Sequence, residues 1–178
     1  MPAHTLPHLP RPLAIAMRPL PISPLTAVLG WMAQRMTRAH PTLLQRMGPY
    51  ADRRFLVDPT DFPFVLLLHP ASGEVSAHRR GKLPAYDARI AGPMSAFLAM
   101  MHGAEDGDAL FFSRDLTIES DTAAVVALRN AMDDAELDLS VELVAASGRF
   151  AAMTRRIMAR AERLTGLTLH RIDGGDLQ

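Results

Sequence analysis

Between residues 54 and 119 the sequence alternates short apolar runs with clusters of turn-forming residues, and this alternation limits the fold more than any other feature. Short apolar runs bounded by proline, glycine and aspartate are typical of β-strands. Turn compositions at residues 59–61 and 70–73 separate the first three runs. The predicted strands are Arg54–Asp58, Phe62–His69, Glu74–Arg80, Tyr86–Ala91 and Leu110–Glu119.

Helical periodicity surrounds and interrupts these strands. Ser23 is placed to cap and Pro24 to open a helix that continues to about Met47, with a break or kink expected at His40-Pro41. Further helices are predicted at Met94–Met101, from Asp121 to about Met132, and at Arg149–Leu164. This order predicts an α+β fold, with about five strands in one sheet and helices packed on one of its faces.

The two ends of the chain differ in composition from its middle. Residues 1–24 hold seven prolines, a density that opposes helix and sheet hydrogen bonding, so we expect an extended N-terminal arm. Residues 25–142 are the predicted folded domain, which includes its N-terminal helix. Residues 143–178 are predicted to form a basic amphipathic C-terminal helix and a tail.

The charges fall into blocks although the formal net charge is zero. Residues 1–51 contain five arginines and no acid, whereas residues 105–142 contain eleven acids and two arginines. The last helix is again rich in arginine. Such blocks either face different partners, as we expect for the acidic segment 133–142, or are simply solvated surfaces.

Several kinds of chemistry lack the residues that they need. The chain has no cysteine, which excludes disulfides and thiolate ligands for zinc or iron–sulfur clusters. Its seven histidines have no metal-ligand spacing, and neither a nucleophile elbow nor a phosphate-binding glycine loop occurs. The basic stretch 78–82 lacks the aromatic residues of a nucleic-acid site. We therefore expect no enzyme and no metal, cofactor, nucleic-acid site or bilayer-spanning helix.

Eleven methionines are the one unusual apolar feature of the composition. Methionine side chains fill irregular cavities and adapt to varied apolar ligands. The same side chains would also fill an ordinary core, and composition does not decide between the two.

The stretch from Ile90 to Leu137 resembles the C-terminal half of sterol-carrier-protein (SCP-2 sterol-binding) domains. The matching pieces are Asp108-Ala109-Leu110-Phe111-Phe112, Arg114-x-Leu116-x-Ile118-Glu119, Asp121-Thr122 and the helix that reaches Asp133–Leu137. Within that family it is most similar to the bacterial accessory factors of oxygen-independent ubiquinone biosynthesis. Family members usually carry glycine where this chain has Ser120, which calls into question the geometry of the strand-to-helix turn at that residue.

The resemblance implies a fold and a function. It implies a sterol-carrier-like sheet with helices that enclose an apolar lipid tunnel, and no catalysis or cofactor. The chain would be an accessory factor that holds a polyprenylated ubiquinone precursor or a phospholipid. It would serve ubiquinone-biosynthesis enzymes, including peptidase-like iron–sulfur hydroxylases. The alternatives are a general lipid, sterol or fatty-acyl carrier, a scaffold module for biosynthetic enzymes, and an enzyme acting on a lipid or acyl thioester.

Two sets of residues are predicted to make the contacts that this function requires. The residues that we expect to line the lipid site lie on converging helix and strand faces: Met94, Phe97, Leu98, Met101, Phe112, Leu116, Ile118 and Val126. Arginines that border apolar stripes near both ends predict transient contact with an anionic membrane surface. These membrane-contact residues are Arg18, Trp31, Arg35, Arg155, Arg156 and Arg160. The expected location is the cytoplasm, with peripheral contact at the inner membrane; the alternative is that both stripes pack on the sheet.

Overall fold

The computed structural model describes residues 10–19, 21–81, 83–102 and 116–134, and the single positions 144, 152, 155, 156, 159, 160 and 163. The described helices are α1 (Arg11–Met17), α2 (Ser23–Ala39), α3 (Pro41–Met47), α4 (Met94–His102) and α5 (Thr122–Asp134). The strands are β1 (Phe55–Pro59), β2 (Phe64–His69), β3 (Glu74–Arg79), β4 (Ala88–Gly92) and β5 (Thr117–Ser120). Short 3₁₀ turns follow α3 at Gly48–Tyr50 and β2 at Pro70–Ser72.

The extended N-terminal arm is wrong for residues 11–17, which form α1. Pro12 lies in the first turn, where a missing amide costs no helical hydrogen bond. The next proline is Pro19, so the intervening residues can form helical hydrogen bonds, and the amide of Ala14 donates to the carbonyl of Pro10 at 3.2 Å. Local spacing of the prolines, and not their overall density, decided the outcome.

The predicted long helix is confirmed with its break. His40 separates α2 from α3, because the residue before a proline avoids the helical region. The predicted capping role of Ser23 is wrong: Ser23 is the first helical residue, Ile22 occupies the capping position, and no side chain caps this end. Gly48, with φ of 52°, ends α3 as expected.

The five strands form one mixed sheet in the order β3-β2-β1-β4-β5. Strand β1 is parallel to β4, and the other neighbouring pairs are antiparallel. Gly73 makes the β2–β3 turn with φ of 64°, and an added Cβ would lie 3.3 Å from the Cα of Gln34, so both conformation and space require glycine. The predicted α+β fold is confirmed, with strand ends shifted by one or two residues in the first four strands.

The last two predicted elements are described in part. Of the predicted fifth strand, residues 117–119 lie in the observed strand Thr117–Ser120, and residues 110–115 lie outside the described residues. In the predicted C-terminal helix, positions 152, 155, 156, 159, 160 and 163 are helical.

One face of the sheet carries the apolar core. We call it the helix-side face; its strand residues Phe55, Ala88 and Ile90 are almost fully buried, with Val57, Leu68 and Ile118 half-buried beside them. The helices contribute Met47, Ala96, Phe97, Ala124, Val125, Leu128 and Ala131 to the same cluster. Burial of this apolar area is the main stabilising contribution to the fold.

The opposite face of the sheet has a different composition. Successive side chains of a strand point to opposite faces, so Leu56, Asp58 and Arg89 lie on the other side from Phe55 and Ile90. We call this the charged face, because Asp58, Arg89 and Glu119 meet on it as ion pairs. Its central residues Leu56 and Val65 are fully buried nevertheless.

Helix α2 lies along the outer edge of β3. The amide of Ala77 donates to Oγ1 of Thr26 at 3.0 Å, and a Cβ added at Gly30 would lie 3.4 Å from the carbonyl oxygen of Val75. Both backbone groups point away from β2, so α2 covers an edge that would otherwise offer unpaired groups to another strand. The side of α2 that faces away from β3 is exposed to solvent.

Candidate functional site

Helix α4 is held at its first turn by the turn between β1 and β2. The amide of Met94 donates to Oδ1 of Asp61 at 2.9 Å, which satisfies one of the amides that a helix start leaves without a partner. Ala96 and Phe97 face the core cluster, and Met94 packs against it half-buried. The apolar surface of α4 is thus fixed over the helix-side face.

The structure brings half of the predicted lipid-lining residues into one cluster. These are Met94, Phe97, Leu116 and Ile118, on α4, on β5 and immediately before β5. Leu98 is also buried but does not belong to that cluster. Met101 lies in α4, with its side chain outside the described set, and Phe112 is outside the described residues. The lining role of all these residues remains a prediction.

Val126 is placed differently from the other predicted lining residues. Its side chain is 40% exposed, whereas that of Val125 is 1% exposed and packs with Leu128. The predicted cap by Asp121 is confirmed, because its Oδ1 accepts the amide of Ala124 at 3.0 Å. This cap fixes the start of α5, and the residues that then face inward are Ala124, Val125, Leu128 and Ala131. Their helical spacing is visible in the sequence and could have identified them.

Ser95 is a candidate site residue that the sequence analysis missed. It is the second residue of α4 and only 7% exposed. Its Oγ is buried and has no hydrogen-bond partner within the described part of the chain. A serine between Met94 and Ala96 gives no signal in an apolar pattern, because small residues are compatible with any helix face.

The charged face is a network of carboxylates and guanidinium groups. Asp58 is 2% exposed, and its Oδ2 accepts from Nη2 of Arg89 at 2.6 Å. Arg89 also donates to Oε1 of Glu119 at 2.7 Å. Hydrogen bonds to Asp58 and then Glu119 raise the pKa of Arg89 above its ordinary value, so this side chain stays charged.

Arg80 completes this network from the end of β3. Its Nη2 forms an ion pair with Oδ1 of Asp58 at 2.6 Å, outside the angular range of a hydrogen bond. The same guanidinium donates to the backbone carbonyls of Phe62 and Pro59. Because its charged groups are matched internally, we assign this network to the fold and not to a ligand.

Helix α2 exposes apolar and basic side chains together on its outer side. Trp31 is 51% and Val28 is 52% exposed, and Arg35 and Arg38 are exposed along the same side. In α1, Ile15 is 59% exposed and Arg18 just beyond the helix is exposed as well. We call the α2 residues the Trp31 surface; no acidic residue occurs before Asp52.

The described positions of the C-terminal helix are alanines and arginines. Its described positions are all exposed and recur at helical spacing, which places them on one side: Ala152, Arg155, Arg156, Ala159, Arg160 and Arg163. We call this set the arginine ridge. Four guanidinium groups therefore lie along about 12 Å of helix axis at a rise of ~1.5 Å per residue.

No helix within the described ranges is long and apolar enough to cross a membrane. Across those same ranges, no three histidine, aspartate or glutamate side chains are grouped as a metal site requires. These findings leave the apolar interior and the two basic surfaces as candidate sites.

A mixed five-stranded sheet with an apolar helical layer on one face places the protein among the small α+β domains. The model of the SCP-2 sterol transfer family matches residues 33–133, which is more than half of the chain. The chain therefore belongs to this family, as predicted, and carries a lipid-binding domain. No curated protein matches the chain significantly.

The chain is similar to several solved structures. The chain is similar to a structure described as "UbiJ-SCP2 Ubiquinone synthesis protein", with 19% identity, coverage of 66% of this chain and 96% of the other, and a TM-score of 0.53. It is also similar to sterol carrier protein 2 from Yarrowia lipolytica in its apo form, with 12% identity, 63% and 92% coverage, and a TM-score of 0.41. The chain is similar as well to the sterol carrier protein domain 2 of Helicoverpa armigera, with 12% identity, coverage of 58% of this chain and 86% of the other, and a TM-score of 0.37.

Proposed function

We propose that this protein is a non-catalytic accessory factor of ubiquinone biosynthesis that holds a polyprenylated precursor in its apolar interior. Membership of the SCP-2 sterol transfer family, with the domain at residues 33–133, is the observation that carries the proposal. The ubiquinone assignment is supported by the Ile90–Leu137 resemblance and by the similarity to a ubiquinone synthesis protein. Chemistry on the precursor, under low oxygen, belongs to partner enzymes such as peptidase-like iron–sulfur hydroxylases.

The physical basis is the removal of a prenyl tail from water. Each square ångström of apolar surface that leaves water contributes about 25 cal/mol, so several isoprene units give a large favourable free energy. The apolar residues on α4 and next to β5 offer a surface of matching chemistry. A carrier needs such a surface and a few polar groups to orient the ligand.

Lipid extraction tests the proposal. Freshly purified protein is extracted with organic solvent, and the lipids are identified by mass spectrometry. We expect prenylated phenols or quinones in near-stoichiometric amount. Only sterols, acyl lipids or phospholipids would favour a general carrier, and bare protein would favour a scaffold; either result would contradict the assignment to ubiquinone precursors.

A matched pair of tryptophan substitutions locates the site within the domain. Leu98→Trp adds bulk at a position that is 6% exposed, and Val126→Trp adds the same side chain at one that is 40% exposed. We expect the first to reduce co-purified lipid severalfold and the second to leave it unchanged, with circular dichroism preserved in both. Equal lipid content in both folded variants would remove Leu98 from the lining.

Exchange of such a ligand requires contact with a membrane, and we propose that the Trp31 surface and the arginine ridge provide it at the inner membrane. Indole and aliphatic side chains bordered by arginine suit the headgroup layer of a bilayer. Each arginine near an anionic surface contributes about 1 kcal/mol, and salt weakens that attraction. The Trp31 surface would insert apolar side chains into the headgroup layer, and the arginine ridge would attract the anionic lipid headgroups.

Trp31 is the sole tryptophan of the chain, so its fluorescence reports on this contact directly. We expect its emission to shift to shorter wavelength with vesicles of phosphatidylglycerol and phosphatidylcholine, and not with phosphatidylcholine alone. Replacement of Arg155, Arg156, Arg160 and Arg163 by glutamine should lower vesicle binding while retaining the shift of the bound fraction. Binding that is equal for neutral and anionic vesicles, or an unchanged emission, would contradict the membrane proposal.

A further inference from the structure

The hydroxyl of Ser95 is buried without a hydrogen-bond partner in the described chain. Ser95 is 93% buried, being 7% exposed, and its Oγ is shielded from solvent. A helical serine often donates to the carbonyl four residues earlier, which here belongs to Ala91, but that bond is not made. Leu98, one turn further along α4, is buried on the same side of the helix.

Such a hydroxyl is unfavourable in the folded protein on its own. Burial strips water from a donor and an acceptor and gives no bond in return, and most buried polar groups in proteins do find a partner. Alanine at this position would avoid the loss and is a better helix former. The unpartnered hydroxyl therefore points to a partner outside the described part of the chain.

We propose that Ser95 Oγ binds the oxygen-bearing end of the lipid, and this assignment rests on the proposed lipid-binding function. A hydroxyl both donates and accepts, so it can bond a quinone carbonyl or a phenol hydroxyl. The side chains beside it on α4, Met94 and Leu98, are apolar and would contact the rest of the ligand.

The first turn of α4 further restricts the chemistry of the oxygen-bearing end of the lipid. The positive end of a helix dipole attracts oxygen lone pairs. Here Asp61 already accepts the amide of Met94 at 2.9 Å, so its carboxylate offsets that positive potential and would repel a second carboxylate. The arrangement favours a neutral ring or ester oxygen over the carboxylate of a free fatty acid.

The experiment compares two ligands that differ in oxygen content. Delipidated full-length protein is titrated with ubiquinone bearing three isoprene units, and with farnesene, a hydrocarbon of the same tail length. The variants are Ser95→Ala, which removes the hydroxyl, and Ser95→Thr, which keeps one. Ser23→Ala is the control, because Ser23 is an exposed helical serine without a capping bond.

We expect Ser95→Ala to weaken quinone binding about fivefold to tenfold, the effect of one lost hydrogen bond. Farnesene binding should not change, Ser95→Thr should restore most of the quinone affinity, and Ser23→Ala should match the parent. The ligand-free Ser95→Ala protein should melt no lower than the parent, because it loses an unpartnered group.

The outcomes separate the Ser95 assignment from the proposed function. Quinone affinity that is equal in Ser95→Ala and the parent, while both ligands bind, would overturn the assignment and leave lipid binding in place. A lower melting temperature of ligand-free Ser95→Ala would also overturn it, since the hydroxyl would then be structural. Failure of both ligands to bind the parent protein would overturn the lipid-binding function together with the assignment.

Discussion

The two faces of the sheet are built from the same strands but stabilised in different ways. On the helix-side face, Phe55 and Ile90 belong to an apolar cluster to which α3, α4 and α5 contribute buried side chains. On the charged face, Asp58 and Arg89 of the same two strands form an ion pair. Each of these two strands therefore carries both kinds of interaction within three residues.

The two faces contribute differently to the stability of the fold and to the alignment of its strands. Apolar burial contributes free energy with little directional preference. Ion pairs between β1, β4 and β5 contribute less net free energy after desolvation. They form only when these strands pair in one register. We infer that the helix-side face sets most of the stability and that the charged face fixes the alignment of the strands.

The largest expected effect is on the helix-side face. Phe55→Ala should reduce the free energy of unfolding by about 3–5 kcal/mol, because Phe55 is fully buried and its removal leaves a cavity. Urea denaturation measures this loss, with the milder Phe55→Leu as a second variant that stays folded. Val28→Ala, at a position that is 52% exposed, is the control and should change stability by less than about 0.5 kcal/mol. A similar loss at Val28 would contradict the assignment of the core.

A smaller effect is expected from breaking the charged face. Asp58→Ala should cost about 2 kcal/mol, below the usual 3–5 kcal/mol for a broken buried pair, because Arg80 and Arg89 retain access to water. The double variant Asp58→Leu with Arg89→Met should cost less than Asp58→Ala alone, since it leaves fewer unmatched charges. Urea denaturation of both variants decides the point. A double variant that is less stable than Asp58→Ala would show that the ion pair is net stabilising.

Substitutions of Ser120 test whether the backbone at the end of β5 is strained. It ends β5 opposite Ala88 with φ of 73°, and it is the only non-glycine residue with positive φ in the described ranges. Ser120→Gly should stabilise the protein by about 0.5–1 kcal/mol, because glycine adopts this conformation without steric cost. Ser120→Ala should give no gain, and Glu119→Gly, in the regular strand, should reduce stability. Thermal unfolding of the three variants measures these differences, and a gain from Ser120→Ala would exclude strain.

Much of the fold could be predicted because its signals are local. His40-Pro41 and Gly48 ended helices where expected, and Asp121 capped α5. The family resemblance also identified position 120 as unusual, and the positive φ found there explains why glycine is usual at that position. Turn and cap chemistry depends on a few neighbouring residues, so the sequence contains the whole signal.

The candidate site was harder to predict because it depends on contacts between distant residues. Val125 and Val126 are adjacent and equally apolar; helical spacing puts them on different faces of α5, and the packing of α5 on the sheet turns the face of Val125 inward. The pairing of Asp58 with Arg89 depends on the parallel register of β1 and β4, which are 31 residues apart at this contact. Ser95 became a candidate only when the surroundings of its hydroxyl were known.

The smallest expected effect is the response of the charged face to alkaline pH. The folded-state pKa of Arg89 is raised above its ordinary value, so its contribution to stability is fully present below the unfolded-state pKa and is lost only as pH rises through the folded-state value. Between pH 7 and pH 10 the difference in unfolding free energy between the parent and Arg89→Met should therefore stay constant, within about 0.3 kcal/mol. Urea denaturation at both pH values measures the two differences, and Phe55→Leu serves as a variant on the face without charges. A difference that shrinks for Arg89→Met alone as pH rises would mean that a group with a lower pKa controls the network, which would contradict the central place of Arg89 on the charged face.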